Sequence, residues 1–172
     1  MQLNRITLVL PTQANRADVL DFYREIAEYG GECIGKGNST DYDAWLKEMQ
    51  NRKTGRNLPE GYVRENFYLC YAGRELVGVF SLKFTLTEYL LQYGGHVGYA
   101  VRPTQRRKGY AAEIMAKGLA AAKGLGFDRI LAVCDDDNIA SEKVILKNGG
   151  VYENTRFDAE ENVNVKRYWI TL

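Results

Sequence analysis

The 172-residue sequence is poor in the residues that build metal sites and disulfide frameworks. It has one histidine, His96, and three cysteines, Cys33, Cys70 and Cys134, which lie far apart and show no CxxC or other zinc-like spacing. This set excludes a typical zinc site and a disulfide-stapled fold, and it suits the reducing conditions of the cytoplasm. We therefore predict a cytoplasmic protein that binds no metal.

The chain also lacks a charge surplus and a long apolar run. Its 23 Lys and Arg residues against 22 Asp and Glu leave a net charge of +1. This balance excludes the strongly basic character of a general nucleic-acid or membrane-surface binder. No stretch approaches the apolar length of a membrane span, and the N-terminal residues do not have the pattern of a signal peptide. We expect neither a nucleic acid nor a membrane as partner.

Hydrophobic periodicity predicts the elements of the first half. A strand in LNRITLVLP opens the chain, and two amphipathic helical stretches follow it. The segment ENFYLCYAGRELVGVFSLKF has β-rich runs on either side of a short turn, which is typical of a hairpin. The centre of the molecule is therefore predicted to be an antiparallel sheet.

The second half has a different order. The strand HVGYAVRP, the alanine-rich helix GYAAEIMAKGLAAAK and the strand RILAVC form a βαβ unit, whose crossover should join parallel strands. One more helix and two closing strands complete the chain. We predict an α/β (α+β) fold with a mixed, mainly antiparallel twisted sheet, a central βαβ crossover and helices on both faces. Without repeats or linkers, residues 1–172 should form a single domain.

A basic cluster stands immediately before the alanine-rich helix. The segment RPTQRRKGYA, residues 102–111, places four basic side chains within seven residues. The first amides of a helix lack intrahelical partners and carry partial positive charge, so small residues leading into a helix form an anion cradle. Gly109 allows close approach, and Ala111 and Ala112 leave room above the first turn. The side chains that can screen further phosphate charge are Arg106, Arg107 and Lys108.

The glycine pattern narrows the choice of diphosphate ligand. It is neither GxxxxGK[ST] nor GxGxxG, which disfavours ATP and NAD. The segment VRPTQRRKGYA instead matches the [QR]xxGx[GA] signature of the GCN5-related N-acetyltransferases (GNAT), with Arg106, Gly109 and Ala111 in the defining places. The chain resembles this family over about residues 66–156, because NIASEKVILKNGG is similar to the family's next block, an Asn-initiated helix that ends in glycine.

The resemblance implies a GNAT-like fold and an acetyl-CoA-dependent N-acetyltransferase. Such enzymes bind acetyl-CoA by its pyrophosphate at this helix start, need no metal, and let an acceptor amine attack the thioester directly. The acceptor would be a primary amine of a small molecule or peptide. By the resemblance, the cofactor-binding residues are Ala100, Val101, Arg106, Arg107, Lys108, Gly109, Tyr110, Ala111, Ala112, Asn138 and Ser141. Asn138 could instead serve only as a helix N-cap.

The catalytic groups are harder to predict. A backbone amide within 99–101 would stabilise the oxyanion. His96 has a suitable intrinsic pKa for a base, but strand alternation turns it away from the favoured face unless a bulge intervenes. The alternative is a structural His96 that donates to a backbone carbonyl. Glu88, before the strand, is another candidate base, and Tyr99 lies on the favoured face and could line the acceptor site.

One position departs from the family pattern. The tyrosine that many relatives use as general acid, seven positions after Asn138, is Ile145 here. This departure keeps open a non-catalytic acyl-CoA-binding or sensor module, and the basic segment keeps open a nucleic-acid-associated protein. Cys134 could support an acyl-cysteine route, although a small core residue explains it better.

The acceptor side carries no motif. The first two helices, the segment EYLLQYGG and the closing hairpin should enclose the acceptor by analogy with the family, and acidic residues there could attract a cationic amine. The closing strands are also a candidate homodimer interface. The acidic residues in question are Asp41, Asp43, Glu160 and Glu161.

Overall fold

A computed structural model describes residues 5–37 and 40–172. Strands and helices follow each other largely as predicted, with a short π-helix at Leu90–Gly94 and a 3-10 turn at Pro103–Gln105. In chain order the main elements are β1 (Ile6–Val9), α1 (Arg16–Glu28), α2 (Tyr42–Thr54), β2 (Glu65–Ala72), β3 (Glu75–Lys83), β4 (Val97–Val101), α3 (Tyr110–Gly124), β5 (Arg129–Asp135), α4 (Ile139–Lys147), β6 (Val151–Asp158) and β7 (Val163–Thr171).

The strands form two antiparallel sheets. One has the order β1-β2-β3-β4 and the other β5-β7-β6. The α/β class and the crossover β4–α3–β5 are confirmed. The expected pairing of β4 with β5 as parallel strands is wrong, because β4 and β5 are edge strands of different sheets and form no ladder of backbone hydrogen bonds in the described part of the chain. Within the described ranges, backbone hydrogen bonding between these two strands is confined to His96 and Leu131.

Helices cover both faces of the first sheet, as predicted. Helices α1 and α2 bury Phe22 and Trp45, both 0% exposed, on one face. Helix α3 buries Ile114 and Met115 on the other, where Ile145 of α4 joins them. Full burial of such a side chain stabilises the fold by roughly 1.5–3 kcal/mol. The apolar residues at helical spacing thus form two cores, one on each face of the sheet.

Strand β3 contributes to both cores. Leu76 and Val79 point towards α1 and α2, and Val77, Phe80 and Leu82 point towards α3. The prediction of a single domain over 1–172 stays a prediction, and this shared strand supports it.

A glycine brings α3 unusually close to β3. A Cβ atom at Gly118 would lie 2.1 Å from Cζ of Phe80, so no other residue fits without displacing the ring. The connection from β4 to α3 spans only residues 102–109, which keeps the first turn of α3 near the C-terminal end of β4. The fold thereby fixes the place of the predicted anion cradle.

Candidate active site

A cleft lies between the facing edges of β4 and β5. The amide of Arg102 donates to the Val77 carbonyl at 2.8 Å, so β4 bonds to β3 through alternate residues. By this alternation Val97, Tyr99 and Val101 direct their amides to the opposite edge. Strand β5 is paired to β7 in the same way. Beyond the His96 junction, two strand edges therefore face each other, and among the described residues no backbone hydrogen bond joins them.

His96 closes this cleft at one end. Its backbone amide donates to the Leu131 carbonyl at 2.8 Å, and the Leu131 amide donates to Nδ1 of the imidazole at 2.9 Å. The imidazole nitrogen thus occupies the place of the backbone carbonyl that a parallel ladder would offer. The two strands separate from this point onwards.

The surroundings of His96 disfavour proton transfer. Burial lowers the pKa of the imidazole to about 4, with a further contribution from the positive charges of Lys83 and Arg129. Because Nδ1 accepts a hydrogen bond, the proton of the neutral ring resides on Nε2, which leaves no free lone pair. The register between β3 and β4 shows no bulge that would turn the ring around. This geometry favours the structural alternative, with the difference that His96 accepts from the backbone and does not donate to it.

The loop before α3 has the backbone conformation of an anion-binding nest. Arg107 has φ +63° and Gly109 has φ +85°, both in the left-handed region. Alternation of left-handed and ordinary residues turns successive amides to one side. Helix α3 starts at Tyr110, and no side chain in the described chain caps its first amides. The sequence prediction of an anion cradle thus has matching geometry.

The basic side chains of this segment have different environments. Arg102 is only 9% exposed, and its Nη1 donates to Asp21 at 2.8 Å and Glu25 at 3.1 Å. This pairing holds the pKa of the Asp21 carboxyl below its usual range. Arg102 therefore anchors the loop to α1. Arg106 also bonds inwards, because its Nε donates to the Val101 carbonyl at 3.2 Å.

The remaining predicted donor-binding residues lie around the nest. Arg107 and Lys108 are exposed, and Nζ of Lys108 donates to Gln105 at 2.7 Å. Tyr110 and Ala111 pack against the α3 core, whereas the side chain of Ala100 faces the α1–α2 core. The carbonyl of Ala112 accepts a hydrogen bond from Asn148 at 3.3 Å.

A pair of hydroxyl groups spans the cleft from β4 to α4. The Tyr99 hydroxyl and Oγ of Ser141 are 2.9 Å apart. Burial raises the pKa of Tyr99, so the phenol stays protonated at neutral pH. Asn138 caps α4 by accepting from the Ser141 amide at 3.1 Å. Ile145 is buried at 1% exposure and offers no proton donor in the cleft.

Two other catalytic candidates lie away from the cleft or lack reactivity. Glu88 is exposed and accepts a hydrogen bond from Gln92 at 2.7 Å. Cys134 is buried in the α3 core, and burial raises the pKa of its thiol to about 11. Thiolate is the reactive form, so this environment supports a packing role for Cys134.

A cavity of about 660 Å³ opens on the α1–α2 side of the same strands. The loop after α1 forms one wall, and two hydrogen bonds hold it in place. The Tyr23 hydroxyl donates to the Ile34 carbonyl at 2.9 Å, and the Trp45 indole N–H donates to the Gly35 carbonyl at 2.6 Å. Ser81 lines the cavity and pairs with Gly98 of β4, which places the cavity next to the cleft strand. Its charged lining residues are Lys36, Glu48, Arg52, Glu65, Lys83 and Glu160.

The inner part of the cavity contains a neutral ion-pair network. Glu65 is 5% exposed and binds Arg52, which also pairs with Glu48. Nζ of Lys83 lies 3.8 Å from Glu65, and burial lowers the pKa of Lys83. The two acids and two bases balance each other. No motif in the sequence indicates this network, because its members come from the separate segments α2, β2 and β3.

Glu160 stands at the rim of the cavity. Its backbone amide donates to Asp158 at 3.0 Å, and the other oxygen of Asp158 accepts from Tyr89 at 2.8 Å. Among the described residues, its carboxylate has no ion-pair partner. The other acidic residues predicted for the acceptor side do not line the cavity, since Asp41 caps α2 and Asp43 pairs with Arg16. The fourth of them, Glu161, is also absent from the lining.

Comparison with known proteins identifies the family. The model of the acetyltransferase (GNAT) domain matches residues 5–151, and the chain therefore belongs to this family. It is an acetyltransferase that takes its acetyl group from acetyl-CoA. No curated protein matches the sequence.

Solved structures share the fold at low sequence identity. The microcin C7 self-immunity acetyltransferase MccE, in complex with acetyl-CoA and AMP, has a TM-score of 0.71 and 17% identity over 98% of this chain and 93% of its own. RimL, a ribosomal L7/L12 α-N-protein acetyltransferase in complex with CoA, has a TM-score of 0.72 and 17% identity over 98% and 94%. Mycobacterium smegmatis RimJ with CoA-disulfide has a TM-score of 0.75 and 15% identity over 96% and 81%.

In the described ranges, no cluster of three or more His, Cys, Asp and Glu side chains is arranged to hold a metal ion. No helix in this part of the chain combines the length and apolarity needed to cross a bilayer.

Proposed function

We propose that the protein acetylates a primary amine of a small molecule or peptide by direct transfer within a ternary complex. The observation that carries this proposal is the cleft between β4 and β5, which has an anion nest at the start of α3 and an acceptor-sized cavity beside β4. Acetyl-CoA supplies the acetyl group as an activated thioester. One chain thus offers separate places for a donor and an acceptor.

The donor side fits acetyl-CoA by chemistry. The amides of the nest around Gly109 suit a pyrophosphate, and the unpaired amides and carbonyls along β4 suit the two amide groups of a pantetheine arm. We assign Val101 to this strand edge, whereas Ala100 directs its backbone groups to β3. We assign Arg107, Lys108 and Gly109 to the nest. Tyr110, Ala111 and Ala112 form the first turn above it, and Asn138 and Ser141 form the facing end of α4. The inward bond of Arg106 suggests a role in shaping the loop.

The acceptor amine must lose a proton before it can act as a nucleophile. An aliphatic ammonium has a pKa of about 10.4, so most of it is charged at neutral pH. We propose Glu160 as the carboxylate that attracts this ammonium and orients it for loss of its proton to water, because Glu48 and Glu65 are already ion-paired. His96 and Glu88 are less suitable, since the first has no free lone pair and the second lies outside the cavity lining.

Two groups of Tyr99 can serve the chemical step. Its backbone amide points into the cleft and can stabilise developing negative charge on an oxygen. Its hydroxyl, bonded to Ser141, remains protonated at neutral pH and can donate a proton to a departing thiolate. This pair would fill the role that the tyrosine replaced by Ile145 has in many relatives.

The charge balance of the cavity favours an acceptor that is not a polycation. Its inner acids are neutralised by Arg52 and Lys83, and Lys36 offers a further positive charge at the wall. A polyamine would meet as many cations as carboxylates. A zwitterion or a peptide N-terminus, with one ammonium near polar groups, fits the lining better. RimL, which shares the fold, is an α-N-protein acetyltransferase.

The proposal is tested by measuring CoA release from acetyl-CoA with a panel of amines. The panel contains amino-acid amides, short peptides, amino acids and polyamines. We expect turnover with at least one α-amine and less with spermidine. Tight binding of acetyl-CoA without release of CoA across the panel would support the alternative, a non-catalytic acyl-CoA-binding or sensor module.

Two predictions about the setting belong to this proposal. The three thiols, which are all free, support a cytoplasmic location. A homodimer through the closing strands is supported by the unpaired outer edge of β6, where Tyr152 and Phe157 are exposed at 54% and 56%. We propose no nucleic-acid partner, because the net charge is only +1 and Arg102 of the basic segment is buried in ion pairs with α1.

A further inference from the structure

We propose that Arg5 is a positioning residue that sets both the backbone geometry and the charge of the anion nest before α3. This inference rests on the proposed binding of acetyl-CoA at that nest. Arg5 precedes β1 and is more than 100 residues away from the nest in sequence, so no local motif indicates the connection. It acts through Lys108 and Glu113.

The contacts of Arg5 surround the nest. Its Nη2 donates to the Lys108 carbonyl at 2.9 Å, and its Nε donates to Glu113 at 2.8 Å. The backbone amide of Arg5 donates to the second oxygen of Glu113 at 3.2 Å. The guanidinium also lies 4.5 Å above the centre of the Tyr110 ring. A single side chain therefore joins the loop, the first turn of α3 and the N-terminal segment.

The bond to Lys108 fixes the direction of an amide. In a trans peptide the carbonyl of one residue and the N–H of the next point in opposite directions. When Arg5 holds the Lys108 carbonyl, the N–H of Gly109 must point away from Arg5. This peptide lies between the two left-handed residues, Arg107 and Gly109. Without the bond the peptide can rotate, because glycine allows many conformations.

The bond to Glu113 changes the charge beside the nest. A carboxylate in the first turn stabilises a helix by interacting with the positive end of its dipole. The same carboxylate repels a pyrophosphate that binds there. Arg5 offsets this repulsion, because it forms an ion pair with Glu113 in which the side chains are 34% and 19% exposed. Helix α3 thus keeps a stabilising acid without losing its affinity for an anion.

The test is a calorimetric titration with CoA of the wild type and of Arg5→Ala, Arg5→Ala/Glu113→Gln and Arg5→Lys. We expect Arg5→Ala to weaken CoA binding about tenfold, the size of one charge-assisted contact of about 1.4 kcal/mol. The double variant should recover part of this loss, since it removes the repelling carboxylate. The CoA affinity of Arg5→Lys should lie between those of the wild type and Arg5→Ala. Lysine keeps the charge but cannot bind the Lys108 carbonyl and Glu113 at once.

A matched control is Arg16→Ala. Arg16 makes the same two kinds of contact on the α1–α2 side. It forms an ion pair with Asp43 at 2.7 Å, and its guanidinium lies 5.2 Å from the centre of the Tyr42 ring. It should leave CoA affinity unchanged. Dephospho-CoA, which keeps the pyrophosphate and lacks the 3′-phosphate, should show the same loss with Arg5→Ala as CoA.

The outcomes separate this inference from the proposal it rests on. If the wild type does not bind CoA, the proposed donor site is wrong. If the wild type binds but Arg5→Ala binds equally well, the positioning role is contradicted. The role is also contradicted if the loss is absent with dephospho-CoA, or if the double variant recovers nothing. Melting temperatures of all variants show whether a loss reflects unfolding.

Discussion

The α3–α4 side and the α1–α2 side of the first sheet are built from sequence in different ways. On the α3–α4 side, the nest, the capped start of α4 and the Tyr99 hydroxyl come from one stretch between β4 and α4. On the α1–α2 side, the charged residues of the cavity come from α2, two strands, one loop and the closing turn. The site on the α3–α4 side can be predicted from a local sequence motif. The cavity on the α1–α2 side cannot, because folding brings together residues that are distant in sequence.

This difference has a functional consequence. In the proposed donor site, recognition depends on backbone amides, which any sequence with the correct turn provides. In the proposed acceptor site, recognition depends on individual side chains such as the exposed Glu160, which can change without disturbing the fold. The comparison predicts that variants on the two sides affect different kinetic constants, and the following variants test that separation.

The largest effect should come from Tyr99→Phe. Loss of the hydroxyl removes the proposed proton donor, and a general acid contributes roughly 10²–10⁴-fold. We expect kcat to fall by about 100-fold with little change in the KM for acetyl-CoA, measured by release of CoA. Tyr152→Phe is a matched control, since its hydroxyl also pairs with a neighbour, Thr155 at 2.9 Å, but on an exposed edge. Equal activity of Tyr99→Phe and wild type would exclude the hydroxyl as acid.

A change at the cavity rim should act on the acceptor alone. Glu160→Gln removes the carboxylate that attracts the ammonium, and we expect the kcat/KM for the acceptor to fall about tenfold, as for one lost charge interaction. The affinity for CoA should be unchanged. Glu161→Gln, one residue further along and outside the cavity lining, is the control. A loss of CoA affinity in Glu160→Gln would contradict the separation of the two sides.

His96 offers a smaller effect that distinguishes a base from a structural residue. In His96→Ala the Leu131 amide loses its acceptor, which should cost about 1–3 kcal/mol of unfolding free energy. Asparagine can present an acceptor oxygen in place of Nδ1, so His96→Asn should keep more stability and substantial activity. Urea unfolding and initial rates measure both. A fully inactive but stable His96→Asn would show that the imidazole is a base.

The smallest effect is a dependence of stability on pH. The pKa of His96 is lowered to about 4 in the folded protein from an ordinary value of 6.5. Between these values the unfolded chain binds a proton that the folded chain does not, so the unfolding free energy falls as the pH is lowered from 6.5 towards 4. The melting temperature should fall less steeply for His96→Asn over this range. Parallel curves would show that other groups cause the dependence.

Much of the fold followed from the sequence because periodicity and turn residues are local. The helix start at Gly109 and the cap at Asn138 have residue types that indicate their conformation directly. The separation of β4 from β5 could not be predicted, since strand periodicity does not show which strand edges pair. The role of Arg102 was also missed, because its partners Asp21 and Glu25 are distant in sequence and it was grouped with its basic neighbours.

The acceptor cavity could not be predicted for a similar reason. Glu65 is the first residue of β2, a position where a charged side chain usually faces solvent. Its burial depends on Arg52 and Lys83, each at least 13 positions away in sequence. The first two helices, the segment EYLLQYGG and the closing hairpin were expected around the acceptor by analogy with the family, but of the acidic residues named for it only Glu160 lines the cavity.

The most direct test of the central claim is a calorimetric titration of acetyl-CoA into wild type, Gly109→Trp and Gly126→Trp. Gly109 and Gly126 have φ +85° and +91°, so both changes impose similar backbone strain at opposite ends of α3. We predict binding by wild type and by Gly126→Trp and loss of binding by Gly109→Trp, with all three folded. Undiminished binding by a folded Gly109→Trp would contradict a donor site at the start of α3.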